Sequence, residues 1–337
     1  MGITSLHYSL ELKKMERENF RLLPADPARH FAAIAALVSS QETEPSNQHT
    51  FTEWYDKQLD AGIRITVAID SQDQVLGFNA IYRGNLNIPH HYGMYLIVDL
   101  AYRCQGLGSL LYENLLDRAT EVNARILRGR VRDTCEPGLR FARQRGFSET
   151  YHSIEMMFDL GSFEEARYGS ILASLQAEGF LFTNMAELGD TPAARRKLYA
   201  LNNGAAATDP GSHGIPPWAS FEEFDKDVCS AYWYHPDSQI VAIDTHTGEW
   251  AAMSAITVFE GADHAYNLFT GTDVRYRGRK LAQAVKSLAL RKAREFGVDT
   301  VRTSHSAQNA AMIAIDEKLG YIHTPGTRVM EKELEHA

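Results

Sequence analysis

One feature constrains this chain more than any other: it repeats itself at a single offset. Arg103 and Arg277 lie 174 residues apart, and at that spacing Val-Ala-Ile-Asp at 67–70 falls on Val-Ala-Ile-Asp at 241–244 without a gap. Asp99 falls on Asp273, Tyr102 on Tyr276, Leu107 on Leu281, Leu116 on Leu290 and Ala119 on Ala293. Gly146-Phe147 falls on Gly320-Tyr321. Solenoids repeat every ~20–50 residues and need three or more copies. Two copies at this period instead predict two similar globular domains, a division that suits 337 residues. The expected division is 1–160 and 161–337, with a linker helix at about 161–178.

Within each copy the periodicities alternate between strand and helix. The first copy reads as a strand at 20–23, helices at 27–38 (begun by Asp26) and 52–59 (capped by Thr50 or Thr52), then strands at 65–70, 75–82 and 91–100. A helix after Gly108, a strand at 126–131, a helix at 137–145 stopped by Gly146 and a strand at 153–160 complete it. The second copy repeats this: a helix at 193–201, a Gly/Pro-rich loop at 202–218, a helix at 221–229 and strands at 240–244, 250–258 and 265–274. A helix at 279–296, a strand at 300–303, a helix at 309–319 and a strand at 327–331 follow. The fold class is therefore α+β, two tandem domains, each a mixed, mostly antiparallel sheet flanked by helices. Residues 1–18 read as a polar extension.

The most informative stretch is Val-Asp-Leu-Ala-Tyr-Arg-Cys-Gln-Gly-Leu-Gly at 98–108. It is the end of a strand, a turn carrying Arg103, Gly106 and Gly108, and a helix start. Glycines let a ligand approach the backbone closely, and the free N–H groups and dipole of a helix N-terminus favour an anion. The second copy carries Arg277, Gly278, Arg279, Lys280, Leu281 and Ala282 at the same place. Lys280 stands where the first copy has Gly106; it adds bulk and positive charge together, so it reads either as a tolerated variant or as the mark of a domain kept for packing.

Charge and composition exclude several partners. A formal charge of −9 argues against a nucleic-acid backbone, which needs a basic face. No apolar run approaches the ~20 residues of a membrane span, and the start of the chain lacks a signal-peptide pattern. Cys104, Cys135 and Cys229 form no Cys-x-x-Cys, which suits reduced thiols in the cytoplasm and offers no zinc site. His90 and His91 are adjacent on a strand and point to opposite faces, so no metal is expected.

Arg103-Cys104-Gln105-Gly106-Leu107-Gly108 resembles the acyl-CoA loop of the GNAT superfamily of N-acyltransferases, Gln/Arg-x-x-Gly-x-Gly/Ala, and Gly146-Phe147 resembles the Gly-aromatic pair that follows it there. Arg277–Ala282 with Thr303, Asn309, Met312 and Leu319-Gly320-Tyr321 is similar to the same region, so the chain resembles tandem GNAT proteins of the mycothiol synthase type. The resemblance implies acetyl-CoA or another acyl-CoA as co-substrate, and direct transfer to a small amine. The pyrophosphate would lie on Cys104, Gln105, Gly106, Leu107, Gly108 and Ser109 beside Arg103, with pantetheine along Ile97 and Val98. Thr272, Arg277, Gly278, Arg279, Lys280, Leu281, Ala282 and Asn309 would serve in the second copy.

Amide donors for an oxyanion would be Val98 and Thr272. The tyrosine that protonates the thiolate in many relatives is absent, Ala142 and Asp316 standing in its place. Candidate acid–base residues are Tyr92 and Tyr266, which read equally as aromatic packing in a sheet, and His91 and Glu53 acting through water. The alternative is a non-catalytic acyl-CoA-binding or interaction protein. A dinucleotide enzyme is disfavoured because Leu111 replaces the third glycine of that fingerprint. The acceptor and the oligomeric state, monomer or homodimer, stay open.

Overall fold

The computed structural model describes residues 20–41, 46–83, 88–210, 212 and 216–334; the extension expected at 1–18 lies outside them. The chain forms two compact units, 1–150 with 327–337, and 151–326.

In the first unit, β1 (Arg21–Pro24), β2 (Arg64–Ile69), β3 (Val75–Tyr82) and β4 (His91–Val98) form an antiparallel run. β5 (Ile126–Arg132) joins β4 in parallel, and residues 327–333 of β12 (Ile322–Glu333) close the sheet antiparallel to β5. Helices α1 (Pro27–Ser39) and α2 (Gln48–Gln58) cover one face, burying Phe31, Ile34 and Phe51 against Val67 and Phe78. Asp26 caps α1 as expected, accepting from the N–H of Ala28 and Arg29. The α2 cap is Asn47 in a capping box with Thr50, so the helix begins earlier than the cap at Thr50 or Thr52 predicts. Helices α3 (Leu107–Glu121) and α4 (Glu136–Gln144) cover the other face through Leu111, Leu115 and Leu139.

The second unit repeats the plan. Helix α5 (Ala166–Ala177) leads into β7 (Phe180–Asn184), α6 (Pro192–Ala206) and a one-turn α7 (Phe221–Phe224). β8 (Gln239–Asp244), β9 (Trp250–Thr257), β10 (Ala265–Thr272), α8 (Leu281–Glu295), β11 (Thr300–Ser306) and α9 (Ala310–Leu319) follow. β7, β8, β9 and β10 pair antiparallel in that order, β10 pairs β11 in parallel, and β6 (Ser148–Asp159) pairs β11 over Ser153–Asp159. The bounds of β4, α3, β5 and β6 recur in β10, α8, β11 and β12 at the 174-residue offset.

Two expectations change. The strand expected to close the first domain at 153–160 pairs inside the second unit, and the chain's last strand completes the first unit's sheet. The division at residue 160 therefore moves to 150, and 327–334 changes sides. Helix α6 also runs past Leu201 into the predicted loop. Its last turns bury Asn202, and Ala205 lies so near Gly271 that a Cβ on Gly271 would stand 2.7 Å away.

Candidate active site

β4 and β5 pair only from His91 to Gly93 with Ile126 to Arg128. Beyond that they splay, leaving the outer edge of β4 open. Asp99 N–H donates to Leu76 O at 2.9 Å on β3. In an antiparallel pair the backbone polar groups alternate, so those of Ile97 and Tyr95 turn to β3, while those of Leu96 and Val98 turn into the splay. Arg103 Nε donates to Val98 O at 3.0 Å from that side, in keeping with this orientation.

A cleft of about 300 Å³ fills the splay. One wall is Met94 to Val98, the other Gly129 to Arg132, with Tyr112, Phe141 and Phe147 as its apolar floor. Arg103, Arg130 and Arg132 are its charged lining residues among those described, so its field is positive. Cys104 and Gly106 at the wide end adopt left-handed backbone, φ 60° and 85°. Cys104, a residue with a Cβ, holds this conformation at a cost. The N–H groups of 104–108 find no acceptor among the described residues. Successive free amides in such a turn form an anion-binding concavity, strengthened here by the start of α3.

Of the expected binding residues, Ile97, Val98, Arg103, Cys104, Gly106, Gly108 and Ser109 line this cleft. Gln105 turns outward to Ala101 O at 3.0 Å, and the Leu107 side chain is core. The arginines of β5 escaped notice in the sequence, as did Arg145, whose Nη2 donates to Ser109 Oγ at 2.7 Å while its guanidinium stacks 3.4 Å above Phe141. Only the α4 packing brings Arg145 to the α3 N-terminus, so no local motif marks it.

The acid–base candidates do not gather here. Tyr92 reaches Val122 O at 3.3 Å, at the far end of α3, and packs among the apolar residues of that face. His91 is buried at the closed end of the splay, with Nε2 3.6 Å from Glu331 and no hydrogen bond to either ring nitrogen. Burial lowers its pKa below the ordinary value. Neither lines the cleft. Glu53 sits on α2, half-buried.

The second unit keeps the same backbone. β10 and β11 pair in parallel only at Ala265 and Tyr266 before they part. Gly278 and Lys280 have φ of 78° and 64°, matching Cys104 and Gly106 position for position. Lysine here has not flattened the turn; glycine and non-glycine have exchanged places within one conformation. The side chains differ. Arg277 bonds Thr208 Oγ1, and Asn309 Nδ2 donates to Asp209 Oδ2 at 2.6 Å, so the stretch after α6 is tied to this end of the splay. Arg279 pairs with Glu178 at 2.7 Å and stacks on Phe180, and Leu281 is core. Tyr266 donates to Ser304 Oγ at 2.8 Å on the neighbouring strand.

Residues 31–147 match the model of the Acetyltransferase (GNAT) family, which takes in the cleft and its turn. The first unit's sheet core is thus similar to a GNAT domain. No curated protein sequence matches this chain. Among solved structures, a GCN5-related N-acetyltransferase from Sphaerobacter thermophilus is 17% identical with a TM-score of 0.70, over 93% of this chain and 95% of that one. A tandem GNAT protein from the clavulanic acid biosynthesis pathway is 15% identical with a TM-score of 0.70, over 94% and 99%. A glucosamine N-acetyltransferase region of a fungal β-N-acetylglucosaminidase has the same TM-score at 15% identity, over 94% of this chain and 38% of that one. At these identities the likeness is one of fold, two GNAT-like units in tandem. No helix among the described residues is long and apolar enough to cross a membrane.

Proposed function

We propose that this chain is a tandem GNAT protein and an acyl-CoA-dependent N-acyltransferase, with acetyl-CoA the expected donor and a small amine the acceptor. The observation that carries the reading is the open edge of β4 beside the anion-binding turn at 103–109. A pantetheine arm can add to the free polar groups of Leu96 and Val98 as an extra strand would, while a diphosphate rests on the amides of 104–108. Arg103, bridging Val98 O and the Cys135 side, supplies positive charge where the two meet. Held this way, a thioester carbonyl lies within reach of the Val98 amide, a donor for the oxyanion that forms when an amine attacks. Thr272 and the turn at 277–282 repeat the arrangement in the second unit. Cytoplasmic residence belongs to this reading and suits three free cysteines.

Calorimetry with acetyl-CoA tests it. Arg103→Glu should abolish at least one site and Arg277→Glu should report on the second; binding unchanged by Arg103→Glu refutes the assignment. A thiol-release assay across polyamines, amino acids, aminoglycosides and arylamines then tests transfer. A second reading, a non-catalytic acyl-CoA-binding or interaction protein, draws on Ala142 at the acid position and on Tyr92 and His91 lying outside the cleft. Binding with no thiol release would favour it.

A further inference from the structure

Three polar side chains in the second unit occupy places that the first unit fills with the lining of its cleft. Lys286 on α8, His305 on β11 and Asp316 on α9 stand 174 residues after Tyr112, Val131 and Ala142. All three of those first-unit residues line the first cleft. Lys286 Nζ lies 2.5 Å from Asp316 Oδ1, and His305 Nε2 lies 2.6 Å from Asp316 Oδ2. Lys286 and Asp316 are buried to 1% and 0% exposure, His305 to 10%. His305 Nδ1 has no hydrogen-bond partner among the described residues.

Stability does not account for this cluster. Taking three ionisable groups out of water is costly, and well-packed apolar residues serve as well or better. The first unit closes the same corner with Tyr112, Val131 and Ala142, so the fold accepts an apolar or aromatic solution. What the cluster supplies is an imidazole of fixed orientation on the splayed part of β11, past the last residue paired with β10. A carboxylate hydrogen-bonded to one ring nitrogen sets the tautomer and leaves the other nitrogen for proton transfer. Burial alone would raise the Asp316 carboxyl, but the Lys286 charge and the His305 hydrogen bond outweigh it and hold it below the ordinary value. Burial lowers the pKa of the Lys286 ammonium while Asp316 supports it; the 2.5 Å pair holds Asp316 as the carboxylate, and Asp316 keeps His305 aimed.

We infer that His305 is the proton-transfer residue of the second unit, with Asp316 and Lys286 as positioning residues. The inference rests on the acyl-CoA reading above and places chemistry in the second splay. As the amine nitrogen bonds to the thioester carbonyl carbon, His305 takes the proton that nitrogen sheds. As the carbon–sulfur bond breaks, it returns that proton to the leaving thiolate. The products are the amide and the free thiol, and the imidazole is unchanged. His305 therefore does the work of the missing tyrosine, from the neighbouring strand rather than from the helix.

The test uses the full chain labelled at histidine ring nitrogens, with His305→Gln to assign the signal. Coenzyme A and desulfo-coenzyme A are titrated in parallel, and calorimetry on Arg103→Glu counts binding in the second unit alone. The His305 signal should shift with coenzyme A and by less than half as much with the desulfo compound. In turnover with acetyl-CoA, His305→Gln should lower kcat by at least ~10²-fold, the usual scale of acid–base catalysis, and leave KM for acetyl-CoA within about two-fold. Asp316→Asn should lower kcat in the same direction. An unmoved His305 signal with coenzyme A bound in the second unit overturns the inference, as does the absence of binding there while the first unit binds. Absence of binding in both units overturns the acyl-CoA reading itself.

Discussion

Lys286→Met puts the buried cluster to a direct energetic test. The substitution keeps the length of the side chain and deletes its charge, leaving Asp316, fully buried, with His305 alone. Breaking a buried ion pair from one side costs about 3–5 kcal/mol, because the surviving charge is neither hydrated nor paired. Protonation of Asp316 offers an escape, so the loss should be smaller below about pH 4 than at pH 7. For a unit spanning 151–326, about 2–4 °C of Tm accompanies each kcal/mol. The second unit's transition should therefore fall by about 6–20 °C at neutral pH in a calorimetric scan. Replacing the whole cluster with its first-unit counterparts, Lys286→Tyr, His305→Val and Asp316→Ala together, removes every buried charge. That variant should melt within a few degrees of the parent. A Lys286→Met protein that melts with the parent, or a triple variant as unstable as the single one, refutes this account.

Four further outcomes follow from the structure. His30 and His91 are both pushed below the ordinary imidazole value, burial being the largest cause. Because the unfolded chain binds protons first, the first unit should lose stability as pH falls below about 6.5; a first-unit transition that does not move between pH 7 and pH 5 refutes this. A chain ending at residue 326 should lose the first unit's transition and expose β5 as a sheet edge, while the second unit, which keeps β6 on β11, still melts cooperatively. Gly77→Ala would bring a Cβ within 2.7 Å of Ile97 O; overpacking of this kind costs about 1–3 kcal/mol, and acetyl-CoA affinity should fall with it as β4 shifts. Lys280→Gly relieves a left-handed residue worth ~1–2 kcal/mol against ~0.4–1 kcal/mol of added unfolded-state entropy, so the second unit should gain slightly in Tm.

Much of the first cleft is legible in the residues alone. Arg103, Gly106, Gly108 and Val98 announce themselves because a turn, a helix start and a strand end are local events. Tyr92, the acid–base candidate chosen by counting along β4, lies outside the cleft for the complementary reason. Alternation says which face a side chain takes, and Tyr92 does share a face with Leu96, yet it lies at the end where β4 and β5 are still paired. Only the length of that pairing tells where the cleft begins. Lys280 is a milder case: the residue type argues against a left-handed position, and the helix and strand on either side impose it.

What the sequence by itself determined is the twofold repeat, the order and most bounds of the elements, and the paired turns, since periodicity, capping and turn chemistry act over a few residues. What only the tertiary structure decided is the partner of each closing strand and the meeting of Lys286, His305 and Asp316. Residues 148–159 and 322–333 follow matching helices at the same offset, so nothing local distinguishes one sheet from the other as their destination. That choice, like the cluster drawn from α8, β11 and α9, depends on contacts between residues far apart in the chain, whose free energy exists only once the units have formed.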